Sequence, residues 1–539
     1  MADIEALVVG SGFGGAVAAL RLGEAGVGTI VLERGRRWTI TDPTTNATFP
    51  TFEEPDGRAN WLQTATLTPG YEGTPINRYP GVLEVIPADR LTLLVGAGVG
   101  GGSLVYGGIL IQPPGDLFRQ VFPPAIDYGE MHRVYFPRVR SVIKTAPIPD
   151  DVLGSEYFKG LRVLVAQAEA AGFVEVEGST SPGDGYSRFP MAIDWDVVRE
   201  EIGGTRVPSF VAAEFWYGNN SGAKQTLDRD YLARAEATGR VEVRPLHRVT
   251  AVGPARDGGF RVEFEVLDLT TGGVAETGSL TCGQLFLAAG TVGTCALLMR
   301  AKARGALPDL SDALGQNVGN DGDRFLLRGD IPETTNPHLG GPGCIAIQNY
   351  DNPIRPCVMM RAPFPRFATD FPNLDVLGTF VFTMSWARGR FVYDAGSDSV
   401  RLEFQPDPDD AVLHLAERLN AAGGGRVLSL AARVTGHQLG GACMGQVCDE
   451  EGRVLGYPGL HVVDGALIPG SSTCVNPALT IAAIAERCME RILARRPRAT
   501  PPPADARAGG ARISRDGPTY AGGRERGAVS WMNGQRKRS

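Results

Sequence analysis

The stretch from Ala6 to Gly35, ALVVGSGFGGAVAALRLGEAGVGTIVLERG, holds Gly10-Ser11-Gly12-Phe13-Gly14-Gly15 between two short apolar runs. Leu7-Val8-Val9 is short and rich in β-branched residues, as a buried parallel strand is. Gly10 permits a tight turn, Gly12 lets a diphosphate approach the backbone, and Gly15 lets a helix lie close on the strand. The spacing predicts a helix over Phe13 to Ala25, with Val17, Leu20 and Ala25 towards the sheet and its free N-terminal amides towards bound phosphates. Gly26 stops it, and Thr29-Ile30-Val31-Leu32 reads as a second strand ending in Glu33, at the spacing where this unit places a carboxylate for a ribose. The unit reads as a dinucleotide site; the plainer alternative is a merely tight βα turn.

The motif alone leaves NAD and FAD open, because both use the same adenosine-end geometry. Glu33 argues only against the 2′-phosphate of NADP.

At 539 residues, two or more cores are expected. Gly (71) and Pro (38) are abundant enough to predict many irregular, ligand-shaped loops but not low complexity throughout. The first strand begins within a few residues of Met1 and no run is long enough to span a bilayer, which leads to the expectation of a cytoplasmic protein with no transmembrane segment. All eight Cys fall between Cys282 and Cys488 and read as small buried apolar residues. Cys443-x4-Cys448 has the spacing of a redox pair, yet lies far from the dinucleotide motif, so no catalytic disulfide is expected. No metal site is expected either.

Residues from Arg495 to Ser539 carry an excess of eight positive charges in a chain of formal net charge −7. The acidic body that remains argues against nucleic acid as a partner. The tail itself, rich in Pro, Gly, Ala and Arg, reads as a disordered extension. A transient contact with a membrane surface or an acidic partner is the rival reading.

Along the chain, Arg36 to about Arg90 is broken by prolines and reads as loop, either a lid or a surface excursion. Leu93-Leu94-Val95 predicts a strand, followed by Gly96 to Gly108, in which seven of thirteen residues are glycine. Such backbone suits close approach to a flat ring or a phosphate, and Leu104, Val105 and Tyr106 distinguish it from a flexible linker. Helix is predicted over Gly160 to Ala171 and Gln225 to Gly239, alternating strand within Val241 to Leu267, a buried strand over Leu285 to Gly290 and a helix from Thr294 to Arg300. From Leu310 to about Ala422 the strand-like runs predict one large antiparallel sheet.

The chemistry is expected near the C-terminal end. His437 stands in the Gly-rich loop Thr435-Gly436-His437-Gln438-Leu439-Gly440-Gly441, where packing gives it no evident reason to be; His461, inside an apolar strand, reads as structural. Asp464-Gly465 ends that strand. Cys474-Val475-Asn476-Pro477 opens a helix to about Arg491, with Asn476 as the expected N-cap and Pro477 in the first turn. A helix N-terminus aimed at a flavin's pyrimidine edge would stabilise the reduced ring's anion.

These stretches together, with VGAGVGGGSLVYGG, YGNNSGAKQTLDRDYL, LFLAAGTVGTCALLMRA, RGRFVYDAGSD, GHQLGGA and VVDGALIPGSSTCVNPALTIAA, resemble the glucose-methanol-choline (GMC) oxidoreductase family, and within it the cholesterol oxidases of the non-covalent FAD type. The similarity runs from about Glu5 to Ala494. It implies an α/β fold: a Rossmann-type FAD-binding domain from separated segments (1–45, 222–318, 455–494) and a substrate domain (46–221, 319–454) with a large, mainly antiparallel sheet and helices. The Gly-rich loop 85–112 would contact the flavin, and 495–539 would be the basic tail. By the same resemblance, FAD is the cofactor, bound by Gly10, Gly12, Phe13, Gly14, Gly15, Glu33, Gly98, Gly101, Gly102, Ser103, Tyr106, Gly107, Asp464, Gly465, Asn476 and Pro477. His437 and Asn476 would be catalytic, and Met360 and Arg361 would meet the substrate.

Two residues depart from the resemblance. Tyr106 stands where those enzymes have Asn, and Met360 stands where they have their catalytic glutamate. The expectation is an FAD-dependent oxidation of a secondary alcohol on an apolar substrate, a sterol 3β-hydroxyl, with O2 as acceptor and poor isomerisation of the product. The rivals are a dehydrogenase using another acceptor and a flavin-retaining binding protein without catalysis.

Overall fold

The computed structural model describes residues 2–495 apart from 69, 367–374 and 431–432, so the expected basic tail lies outside the described residues. Residues 1–495 form one compact unit. Within it the apolar side chains gather into two large cores, each around one sheet.

The first core surrounds a seven-stranded sheet. Its strands run in the order Val241–Arg244, Thr29–Leu32, Ile4–Val9, Val274–Leu287, Phe260–Leu267 and His247–Pro254, with Leu460–Val462 paired to the end of the long fourth strand. The Thr29, Ile4, Val241 and Leu460 strands lie parallel to their neighbours, while the Phe260 and His247 strands return antiparallel. Ala6, Leu7, Val8 and Val9 are all buried, as a strand covered on both faces requires. The helix Phe13–Glu24 follows, its length close to the predicted one. An ideal Cβ on Gly15 would sit 2.1 Å from the Gly10 carbonyl oxygen, so the helix does press onto the strand it leaves.

The second core surrounds a six-stranded antiparallel sheet in the order Arg426–Leu430, Arg324–Gly329, Leu377–Thr383, Cys357–Arg361, Gly343–Asn349 and Asp184–Arg188. This is the large sheet expected from the C-terminal half, with three differences. Phe391 and Val400 belong to a separate two-stranded hairpin, Arg390–Asp394 with Ser399–Glu403. Asp410–Gly423 is a helix whose buried residues Ala411, Val412, Leu415, Ala416 and Leu419 recur at helical spacing. The sheet's edge strand Asp184–Arg188 comes from much earlier in the chain.

Elsewhere the helix expected over Gln225 to Gly239 is confined to Tyr231–Ala237, because Leu227 N–H is used by Ser103 Oγ and the preceding residues turn. All eight cysteines are free and buried, Cys443 and Cys448 among them. Among the described residues no helix is long and apolar enough to cross a membrane, and no group of three or more His, Cys, Asp or Glu could hold a metal ion.

Candidate active site

In the seven-stranded sheet four of the five parallel strands, all but Val241–Arg244, each hand over a residue that lines one cavity of about 600 Å³: Gly10, Glu33, Ala288 and Asp464. This is where an open α/β sheet accepts a ligand. The six-stranded sheet supplies the opposite wall through Phe325, Met360 and Phe380, and Trp216 joins them.

One end of the cavity is made of backbone. Gly12 is the N-cap of the first helix and caps it with no side chain, and a Cβ placed there would meet nothing within 4 Å. The first-turn amides therefore open directly on the cavity. Gly101 presses against Gly12, its ideal Cβ 2.7 Å from the Gly12 Cα, so the two Gly-rich loops form a single cradle. Gly14 is forced by another contact: a Cβ there would lie 1.9 Å from the Val463 carbonyl oxygen. Beside the cradle, Glu33 is buried and accepts hydrogen bonds from Ser11 N–H (3.0 Å), Ser11 Oγ (2.7 Å) and Gly35 N–H (2.8 Å). Burial raises its pKa against those bonds. The carboxylate thus braces the turn as well as facing the cavity.

The other end is made of side chains. His437 Nδ1 lies 3.0 Å from Asp323 Oδ1 and 2.9 Å from Oδ2, and its backbone N–H donates to Thr435 Oγ1 at 2.9 Å. Burial draws the imidazole pKa down, but the attraction of Asp323, its hydrogen bond and the charge of Asp321 outweigh it, so the net shift is upward. On the far side of the ring, Nε2 stands 3.4 Å from Asn476 Nδ2. Asn476 is buried and its Oδ1 has no hydrogen-bond partner. The rings of Phe380 and Phe382 lie 5.8 and 5.4 Å from the imidazole.

Asn476 is not the helix cap. The C-terminal helix is Ala478–Ala494, Pro477 occupies the capping position, and its carbonyl accepts Ile481 N–H. The asparagine side chain is consequently free to face His437, which a capping bond would have prevented.

Of the residues picked out by sequence, Gly10, Gly12, Phe13, Gly14, Glu33, Gly101, Gly102, Tyr106, Gly107, Met360, Arg361, His437, Asp464, Gly465, Asn476 and Pro477 all line the cavity. Gly15, Gly98 and Ser103 stand behind the wall: Gly15 meets Gly10, Gly98 packs beside Trp38, and Ser103 Oγ bonds the Gly100 carbonyl. Tyr106 turns its hydroxyl to the Gln225 carbonyl (2.8 Å) and its ring edge to Phe13. Asp464 accepts from Thr294 Oγ1 (2.6 Å) and Ala466 N–H (2.9 Å), and burial lifts its pKa to about 6. Strand alternation separates the last pair. Met360 is the register partner of Phe380 and shares its face, while the Arg361 guanidinium is buried against the Gly378 and Pro337 carbonyls. Asp321 and Asp323 were not anticipated; an acid-rich turn, Asn320-Asp321-Gly322-Asp323, reads as solvent-facing until the fold buries it.

The cradle of open amides, the ribose-side carboxylate and the orphaned Asn476 oxygen at the far end fit FAD, whose diphosphate needs backbone donors and whose ribose hydroxyls and ring N–H need acceptors.

A family model described as GMC oxidoreductase matches residues 394–485. The chain is 29% identical to a cholesterol oxidase of Mycobacterium tuberculosis over 559 aligned positions, covering 90% of each chain. It is 26% identical to a cholesterol oxidase of Acinetobacter baumannii, covering 92% of this chain and 95% of that one. Among solved structures it is similar to a fungal aryl-alcohol oxidase (TM-score 0.61, 16% identity, 92% of this chain and 99% of that one) and to pyridoxine 4-oxidase from Mesorbium loti (TM-score 0.59, 15% identity, 92% and 100%). With this fold, this double-glycine cradle and these relatives, the chain is similar to the GMC oxidoreductases and is an FAD-dependent alcohol oxidoreductase.

Proposed function

We propose that the protein oxidises the 3β-hydroxyl of cholesterol or a related steroid to the ketone, with O2 as the final acceptor of the two electrons. The observation that carries this reading is the meeting of His437 Nε2 with Asn476 Nδ2, which leaves the asparagine Oδ1 unpartnered, at a cavity walled by Phe325, Met360, Phe380 and Trp216. A secondary alcohol on a flat apolar body matches both features: the polar pair takes the hydroxyl, and the aromatic wall takes the rings. Two relatives carrying the name cholesterol oxidase over nine-tenths of the chain support the same substrate class.

In this reading His437 Nε2 accepts the hydroxyl proton, and Asn476 orients the hydroxyl. FAD, when bound, supplies the acceptor for the hydride that leaves the carbinol carbon. The Gly12–Gly101 cradle would hold the diphosphate, and segments 1–45, 222–318 and 455–494 would serve as the FAD-binding domain, with 46–221 and 319–454 as the substrate domain. Met360 has no exchangeable proton and is only a weak acceptor, so it moves none along a steroid ring.

The test is anaerobic titration of the yellow holoprotein with cholesterol or pregnenolone. Bleaching of the flavin followed by recolouring in air is the expected result. Bleaching without fast recolouring indicates a dehydrogenase, and no bleaching by any sterol removes the substrate assignment.

A further inference from the structure

Asn320 to Asp323 form a turn that touches both loops of the polar pair. The Asp321 carboxylate accepts from Ser471 Oγ (2.8 Å), Ser472 N–H (2.6 Å) and Ser472 Oγ, on the loop that leads to Asn476. Asp323 accepts from Thr435 Oγ1 and faces His437 Nδ1, on the other loop. The carbonyl of Asp321 also receives Thr383 N–H (3.0 Å) from the wall strand Leu377–Thr383. Both carboxylates are buried. Removing two acids from water is costly unless each is bonded, and here each is.

We infer that Asp323 is the positioning residue of the proton acceptor: it takes the Nδ1 hydrogen of His437, so that Nε2 is bare towards Asn476 and the cavity, and it holds the positive ring that forms when Nε2 receives the substrate proton. The inference rests on the proposed role of His437. The geometry fixes the tautomer, because a carboxylate within 3.0 Å of Nδ1 accepts only from a protonated nitrogen. In the step itself the substrate O–H bond breaks, an Nε2–H bond forms, and the Nδ1–H stays on the ring against Asp323. A neutral acceptor alone on a half-buried ring would leave the imidazolium charge unpaired. Asp321 performs the parallel task for the asparagine loop, through the serines.

The other charged groups around the ring are Asp321, whose field reaches it, and Arg388, which faces Asp321. His437 works only when neutral, so activity falls below its pKa. Asp323 raises that pKa, and removing its charge moves the acid limb to lower pH.

The experiment is anaerobic stopped-flow reduction of FAD-loaded wild type, Asp323→Asn, Asp323→Glu and His437→Ala by pregnenolone across pH. Asp323→Asn is expected to keep its FAD, to reduce on the order of 10²-fold more slowly, and to show the acid limb displaced downwards, with Asp323→Glu recovering part of both. If Asp323→Asn reduces within a few-fold of wild type with an unmoved limb while His437→Ala is dead, Asp323 is only a loop brace and the inference fails alone. If His437→Ala is also unaffected, the proton-acceptor reading fails with it. Should Asp323→Asn lose FAD or fail to fold, histidine-selective 15N spectra of the wild-type holoprotein decide: a protonated Nδ1 and bare Nε2 on His437 are expected, and the opposite tautomer overturns the assignment.

Discussion

The two ends of the cavity are built from different materials. The cradle end presents main chain: uncapped amides after Gly12, a second loop through Gly101, and a carboxylate, Glu33, that spends three bonds on the turn itself. The polar-pair end presents side chains: His437 and Asn476 at the surface, with Asp323 and Asp321 buried behind them. A backbone site depends on where the chain can go, whereas a side-chain site depends on what each residue carries. Substitutions should therefore separate the two, with cradle changes removing the cofactor and polar-pair changes removing turnover.

The largest effect is expected from Gly14→Ala. The added methyl would lie 1.9 Å from the Val463 carbonyl oxygen, which is rigid main chain and cannot yield as a side-chain tip would. The helix must lift off the strand end, and the cradle with it. Expression should yield protein without FAD, or no folded protein, read from flavin absorbance per chain and a thermal melt. A yellow Gly14→Ala protein of normal stability would break the comparison at its stronger end.

His437→Ala should do the reverse, keeping FAD while losing on the order of 10²- to 10⁴-fold in the rate of flavin reduction. Glu33→Ala sharpens the contrast. It should loosen FAD and also destabilise the fold, because Ser11 and Gly35 each lose a buried acceptor, at about 1–3 kcal/mol for each donor left unpaired. Equilibrium dialysis of FAD beside single-turnover reduction separates the two variants.

This division also explains what could be read from the sequence. The cradle was legible because its requirements are local: Gly10 to Gly15, the apolar strands and Glu33 lie within one βαβ unit. His437 was legible for a weaker reason, as a histidine among glycines. Asp321 and Asp323 were not, since nothing in Asn-Asp-Gly-Asp says that Ser472 and Thr435, more than a hundred residues on, will meet it. Asn476 was found but given the wrong bond. The preceding-proline argument favours a cap there, yet the chain runs one residue further before the helix starts. The hairpin at Arg390–Asp394 merges with the sheet in the sequence because a period of two marks a strand but not its neighbours, whereas the helix at Asp410–Gly423 is betrayed only by the helical spacing of its apolar residues.

The half-buried His437 and the buried His461 extend the comparison to pH. His437 has a carboxylate and a raised pKa; His461 has neither ring nitrogen bonded, lies 4.7 Å from the Phe286 ring, and burial with nearby Arg453 lowers its pKa to about 4. The unfolded chain takes up a proton near the ordinary histidine value, the folded chain not until about pH 4, so stability is lost as pH falls through that window. The loss amounts to about 3 kcal/mol over the full shift. Asp464, raised to about 6 by burial, acts with the opposite sign in the overlapping range, so the difference between variants is the informative quantity. His461→Phe keeps an aromatic face for Phe286 and removes the titration. Denaturant melts at pH 7 and pH 4.5 should show wild type losing stability relative to His461→Phe on acidification. Equal losses would mean that the ring finds a partner when protonated.

The smallest effect is expected at Met360, where the polar-pair end lacks a group rather than holding one. Met360 is 1% exposed, pairs in register with Phe380, and shares the face on which Phe380 approaches His437. Conversion of an unconjugated steroid enone to the conjugated isomer needs a group that lifts a proton from one ring carbon and returns it to another, and a thioether does neither. Arg361, next in the strand, points its guanidinium into carbonyls on the opposite face, and a guanidinium is no base. Asp375 is not among the cavity-lining residues, and Asp370 lies outside the described residues. Early extracts from pregnenolone turnover should therefore hold the unconjugated ketone, with the conjugated absorbance growing at the solvent rate. Met360→Glu places a carboxyl on the His437 side of the strand, in apolar surroundings that raise its pKa and suit it to shuttling a proton. It should speed the conjugated product by about tenfold, well short of a site evolved for the task, while leaving the initial oxidation within a few-fold. If the unsubstituted protein already releases the conjugated enone as fast as it consumes substrate, another acid reaches the steroid from a part of the wall that the strand Cys357–Arg361 does not supply.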